Sequence, residues 1–159
     1  MKNETRVERK SEREIVITRT FNASARIVFE AWTKAELMRR WWVPKSSGLR
    51  LLSCEMDVRT GGKYRLVFGT DASNQMEFFG RYIEVTPNAR IVWTNEEGGE
   101  GGNVTTVTFE DKGGQTLLVM HDLYPSKEAL EASGATDAAP ETFDQLDELL
   151  VTLSATAGR

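Results

Sequence analysis

One cysteine, Cys54, and one histidine, His121, are all that this 159-residue chain offers of the two side chains most used in covalent catalysis and metal ligation. A lone cysteine closes no internal disulfide, which fits a reducing compartment, and it is too little for a thiolate zinc site. The sequence therefore reads as free of metal and cofactor. An excess of basic charge is also missing: Lys and Arg total 20 against 24 Asp and Glu, for a net charge of −4. That balance argues against nucleic acid as the main partner, because phosphates must be neutralised by cations. No apolar run approaches the roughly 20 residues that cross a bilayer, so no membrane insertion is expected. Met1 to Glu14 is polar and lacks the apolar core of a secretory signal. The expected location is cytoplasmic, with residues 1–12 as a flexible, solvated tail.

What is present is an ordinary globular composition, 40% hydrophobic and 28% charged, at the length of one domain. Residues 13–154 are assigned to that domain and 155–159 to a frayed C-terminus. Glu14 to Phe21 is β-branched and reads as a strand. Ser24 is placed to cap a helix whose apolar stripe is Ala25, Val28, Phe29 and Trp32. Thr33-Lys-Ala-Glu36 has the capping-box pattern, so a second short helix is expected to run to about Trp42, closed by Pro44.

From Leu51 to Leu123 the period changes to two. Leu52, Cys54, Met56 and Val58 alternate with polar residues, and after Gly61-Gly62 so do Tyr64, Leu66 and Phe68. Further strands are expected over Met76–Val85, Ala89–Asn95, Asn103–Glu110 and Gln115–Leu123. They are separated by the turn formers of 70–75, 86–88, 98–102 and 111–114. Strands joined by short Gly-rich turns imply an antiparallel meander. Ser126 is placed to cap a short helix ending at Ser133, with Gly134 as its stop. Phe143, Leu146, Leu149, Leu150 and Leu153 then form the stripe of a longer helix with Pro140 in its first turn. The fold class is α+β: a curved antiparallel sheet of about seven strands covered by the long C-terminal helix, with two short helices after the first strand.

Arg19-Thr-Phe-Asn-Ala-Ser-Ala-Arg-Ile-Val-Phe-Glu-Ala-Trp-Thr33 and Arg40-Trp-Trp-Val-Pro44 resemble the opening of the activator-of-heat-shock-protein-ATPase homologue family. That family lies within the START and birch-pollen-allergen-like (SRPBCC) superfamily. Asp57–Arg65, Gly80–Val85, Arg90–Thr94, Val104–Glu110 and Thr116–His121 continue the resemblance in order. It spans about Arg13 to Leu153 and implies a helix-grip fold with a deep cavity. Similar domains include lipid carriers, hormone receptors and polyketide cyclases, so the resemblance leaves several functions open. Two departures stand out: Val43 replaces a common Gly, and Ala138-Ala139 replaces a common Gly-Trp.

A cavity of this kind would be lined from the aromatic set. Most of those rings are expected to build core, with Trp32, Tyr64, Leu66, Phe68, Trp93, Phe109, Phe143 and Leu146 as the ligand-binding candidates. If Leu117, Val119 and His121 share the inward face of the last strand, His121 enters the cavity and can hydrogen-bond a ligand or act as a base. If Arg81 faces inward it needs an anion, from Glu77, Glu55 or a ligand; a register one residue off places it in solvent. Cys54 reads as a buried small hydrophobe. The first functional expectation is a binding protein for a small lipid-like or aromatic ligand. The alternatives are a cofactor-free enzyme of the cyclase or dehydratase type using His121 and Arg81, and a co-chaperone-like interaction protein. A homodimer is compatible with an open strand edge.

Overall fold

Strand β2 (Glu14–Phe21) alternates strictly between half-buried and buried residues, and Ile15, Ile17, Arg19 and Phe21 form its inner face. The computed structural model describes residues 5–43, 48–71, 74–96, 103–133 and 135–157. The other strands are β1 (Arg6–Arg9), β3 (Arg50–Met56), β4 (Lys63–Asp71), β5 (Asn74–Thr86), β6 (Arg90–Thr94), β7 (Val104–Asp111) and β8 (Thr116–Leu123). All pair antiparallel in one eight-stranded sheet of order β1-β2-β8-β7-β6-β5-β4-β3. Helices α1 (Ala25–Thr33) and α2 (Ala35–Met38) connect β2 to β3, and α3 (Lys127–Ser133) and α4 (Ala135–Ala157) follow β8. This is the expected α+β helix-grip arrangement.

The sheet has one strand more than expected. Arg6–Arg9, assigned to a solvated tail, pairs with β2 from Arg6↔Thr18 to Arg9↔Ile15. Its polar sequence hides it, because an edge strand is held by backbone hydrogen bonds and needs little apolar content. At the other end, α4 begins at Ala135 and reaches Ala157, so Pro140 lies inside the helix and not in its first turn. Residues 135–139 and 152–157 contain no helix breaker, which accounts for both extensions. Ser24 holds the N-cap position of α1 without a side-chain cap bond. The expected capping box does not form either: Thr33 donates back to the Phe29 carbonyl at 2.9 Å, Lys34 is the N-cap of α2, and α2 stops at Met38. Ser126 does cap α3, accepting the Ala129 N–H at 3.1 Å. The stop at Pro44, the glycine loop 98–102 and Gly134 lie outside the described residues, as do the side chains of Ala138 and Ala139.

The core lies between the inner sheet face and helices α1 and α4. Phe143, Leu146, Leu149 and Leu150 of α4 are buried together with Phe21, Val28, Trp32, Trp41, Val107 and Leu118. Among the described residues Arg19 makes an ionic contact across this layer. Arg19, 2% exposed, donates to Asp144 at 2.7 Å and Asp147 at 3.0 Å, clamping β2 to successive turns of α4. Bidentate demand of this kind suits a guanidinium, whose donors are fixed in one plane.

Candidate functional site

The helices α1 and α2 and the strands β3 to β6 meet at an uncharged cleft. Trp32 of α1, Met38 of α2 and Trp42 just beyond it form one wall. Met56, Tyr64, Leu66, Phe78, Tyr82 and Trp93 rise from the sheet, and Asn95 closes the end of β6. No charged side chain lines the cleft among the described residues. The Trp42 segment is held from α4: Gln145 donates its amide protons to the carbonyls of Trp41 at 3.0 Å and Val43 at 2.9 Å. Val43 is thus fixed through its carbonyl, half-buried at the edge of the core.

Aromatic packing closes most of the space under the sheet. Trp32 stacks edge-on against Trp41 with centroids 4.7 Å apart and lies 6.0 Å from Trp93. Phe109 and Phe143 press on Trp32 from behind, at 6.3 and 6.2 Å. The remaining cavity is about 30 Å³, enough for a water molecule or two and far below the roughly 300–1,000 Å³ of ordinary ligand pockets. Among the described residues this cleft is thus much smaller than the deep cavity implied by the resemblance.

Of the residues expected to line a cavity, Trp32, Tyr64, Leu66 and Trp93 do so. Phe68, Phe109, Phe143 and Leu146 are buried in the core, outside the cleft. Phe68 packs edge-on against Phe78, centroids 4.6 Å apart. The two polar candidates lie elsewhere. His121 does not share an inward face with Leu117 and Val119; the buried residues of β8 are Thr116, Leu118 and Asp122. Its imidazole sits half-exposed on the outer face, 2.8 Å from Glu14, and that contact, with Ser11 helping, holds the Glu14 carboxyl below its usual range. Arg81 takes the solvent-side alternative and pairs with Glu96 at 3.0 Å. On that outer face the acidic Glu55, Asp57, Glu77 and Glu96 and the basic Lys63, Arg65 and Arg81 surround a depression, in which Arg65 pairs with Glu77 and Arg81 with Glu96.

The residues that sequence patterning missed are Met38, Trp42, Met56, Phe78, Tyr82 and Asn95. Gly80 explains how the two tyrosines meet. A Cβ there would lie 1.9 Å from the Thr94 carbonyl oxygen and 3.0 Å from the Tyr64 ring, so only glycine lets β6 and Tyr64 approach. Tyr64 then packs 5.6 Å from Tyr82 and donates its hydroxyl proton to the Thr94 carbonyl at 2.7 Å, with Asn95 Oδ1 at 3.1 Å. A register shift between Tyr82 and Glu84 marks a bulge at Ile83, which stays exposed while Tyr82 is buried.

Behind Asn95 runs a buried polar chain. Asn95 Nδ2 donates to Thr105 Oγ1 at 3.1 Å, and Thr105 donates in turn to Asp122. Asp122 is 3% exposed; burial raises its carboxyl to about 6, against the opposing pull of Thr105, His121 and Asn103. Burial likewise pushes the Tyr82 phenol well above its usual range and the Cys54 thiol up to about 11. Tyr82 thus stays protonated at physiological pH, and Cys54, 3.4 Å from the Met56 sulfur, is a packing thiol and not a nucleophile. Among the described residues no group of three His, Cys, Asp or Glu is placed to hold a metal ion. No described helix is long and apolar enough to cross a membrane.

Solved structures with this fold include a protein from Rhodobacter sphaeroides, 23% identical with a TM-score of 0.84 over 94% of this chain and 99% of that one. A Staphylococcus epidermidis protein is 25% identical, with a TM-score of 0.76 over 92% and 93% of the two chains. An AHSA1-like protein from Aeromonas hydrophila is 18% identical, with a TM-score of 0.71 over 88% and 93%. Among curated proteins none matches the chain. The family whose sequence pattern runs through residues 22–151 is that of the Activator of Hsp90 ATPase homolog 1-like proteins, and this chain belongs to it.

Proposed function

We propose that this protein binds a small apolar ligand, of about the size of a single aromatic ring, between α1–α2 and the sheet. The observation that carries the reading is the uncharged wall of aromatic and methionine side chains at an opening in an otherwise filled core. Sites for small molecules combine such walls with a few oriented polar groups. A cavity of about 30 Å³ must widen to accept a ring. Met38 and Met56 are suited to that, since an unbranched thioether repacks easily. The lone, half-buried thiol and the absence of charge in the cleft fit a carrier or sensor working in a reducing cytoplasm.

The test uses intrinsic fluorescence, because three of the four tryptophans line the cleft. Titration with acetophenone or 2-phenylpropene is expected to quench emission saturably and to raise the melting temperature. Leu66→Arg, which places a charge in the cleft, is expected to abolish the quenching. No saturable response to either compound counts against the reading. The family's description favours a second reading, association with an Hsp90-type chaperone. It requires that addition of this protein change the chaperone's ATPase rate.

A further inference from the structure

Two buried side-chain nitrogens among the described residues have no hydrogen-bond partner, Arg19 Nε and Trp32 Nε1. The first belongs to the Arg19 clamp, whose other nitrogens are engaged. The second belongs to a wall of the cleft. Trp32 is 2% exposed, so its indole N–H has left water without gaining an acceptor. Leaving a buried donor unmade costs about 1–3 kcal/mol, and native folds seldom do so without a use. The neighbouring indole shows the ordinary solution: Trp41 Nε1 donates to the Ala31 carbonyl at 2.9 Å.

Tyr82, Trp42 and Trp93 also bring polar groups to the lining, while two further polar side chains there are already committed. The Tyr64 hydroxyl donates to the Thr94 carbonyl, and the Asn95 amide donates to Thr105 and the Asn103 carbonyl while its oxygen faces Tyr64. Trp32 differs from them in holding a fully buried donor with no acceptor on a residue of the cleft wall. No cation lines the cleft to compensate an anionic ligand, and burying an unpaired charge costs far more than a single N–H bond returns.

Resting on the binding reading above, we infer that the ligand is a neutral compound with an apolar ring or short hydrocarbon body and one uncharged acceptor, such as a carbonyl or ether oxygen. That oxygen accepts the Trp32 Nε1–H, and the body lies against the Tyr64, Tyr82 and Trp93 rings. The bond formed is non-covalent, and no group is transferred.

The experiment compares three probes of nearly equal shape on the full chain: acetophenone, 2-phenylpropene, in which a methylene replaces the carbonyl oxygen, and benzoate. Binding is read by fluorescence titration and by the indole N–H resonances in ¹H–¹⁵N spectra of wild-type protein. Acetophenone is expected to bind about two- to tenfold more tightly than 2-phenylpropene, the range of one net hydrogen bond. It alone should move the Trp32 indole proton downfield, and benzoate should bind most weakly. In Trp32→Phe the ketone's advantage should vanish; the wild-type resonance decides the matter if that variant does not fold. Equal binding of ketone and hydrocarbon with no indole shift overturns the acceptor inference and leaves the cleft as a binding site. Tighter binding of benzoate overturns the neutrality. Failure of all three to bind overturns the binding reading and this inference with it.

Discussion

Asp122 is a buried carboxyl, 3% exposed, on the inner face of β8 with Thr105 as its donor. The folded state keeps its proton up to about pH 6, whereas the unfolded chain releases it near the ordinary value of 3.8. Between those values the folded state binds the extra proton, so stability falls as pH rises through that window. The loss is on the order of 3 kcal/mol above it. The exposed carboxylates Glu8, Glu14, Glu77 and Glu96 are shifted the other way and contribute with opposite sign. Asp122→Asn separates the two. Urea midpoints measured from pH 4 to 7 are expected to fall less steeply in the variant, and parallel curves would contradict the assignment. At Gly80 the expectation is steric: Gly80→Ala drives a methyl into the Thr94 carbonyl, lowering the melting temperature and displacing Tyr64 from Tyr82, visible in near-ultraviolet circular dichroism.

The element scale shows what was legible in the sequence. Strands β2, β4 and β7 alternate cleanly and their turns carry Gly, Pro or Asn, so their existence and order could be read directly. The face of β8 could not. Leu117-Leu-Val-Met120 is apolar on both faces, and beyond it the inner face carries the carboxylate Asp122 while the outer carries His121 and Leu123. Pairing decides it: Asp122 lies opposite Ile15 and Thr105, and Leu118 opposite Arg19 and Phe109, so these residues share the inner face. The chain Asn95–Thr105–Asp122 was invisible for the same reason, since its members meet only through strand pairing. Four of the ten lining residues were legible, Trp32, Tyr64, Leu66 and Trp93, because large apolar residues at period two or 3.6 mark the inner face. Arg19 also lay hidden on an inner face. Its clamp to Asp144 and Asp147 is the ionic tie between β2 and α4. Arg19→Ala removes the buried partner of two carboxylates that reach solvent, 39% and 15% exposed, and is expected to cost about 1–3 kcal/mol in denaturant unfolding; an unchanged unfolding midpoint would show the pair to be dispensable.

At the scale of the whole molecule, Phe143, Leu146, Leu149 and Leu150 of α4 pack into the core, and the apolar cleft lies toward α2, β3 and β4. The same cluster that stabilises the core, Trp32 with Trp41, Phe109 and Phe143, also fixes one wall of the cleft. The adaptable side chains flank it, Met38 on the helical wall and Met56 on the sheet wall. On the binding reading proposed above, we infer that a ligand enters by repacking at the α2–β3 side, without movement of α4. The most direct test of that claim is methyl NMR of protein labelled at its methionine methyl groups, titrated with acetophenone. The account expects the Met38 and Met56 methyl resonances to shift saturably together, while Met120, on β8 away from the cleft, stays in place. Shifts confined to Met120, or no saturable shift at either cleft methionine, would contradict it.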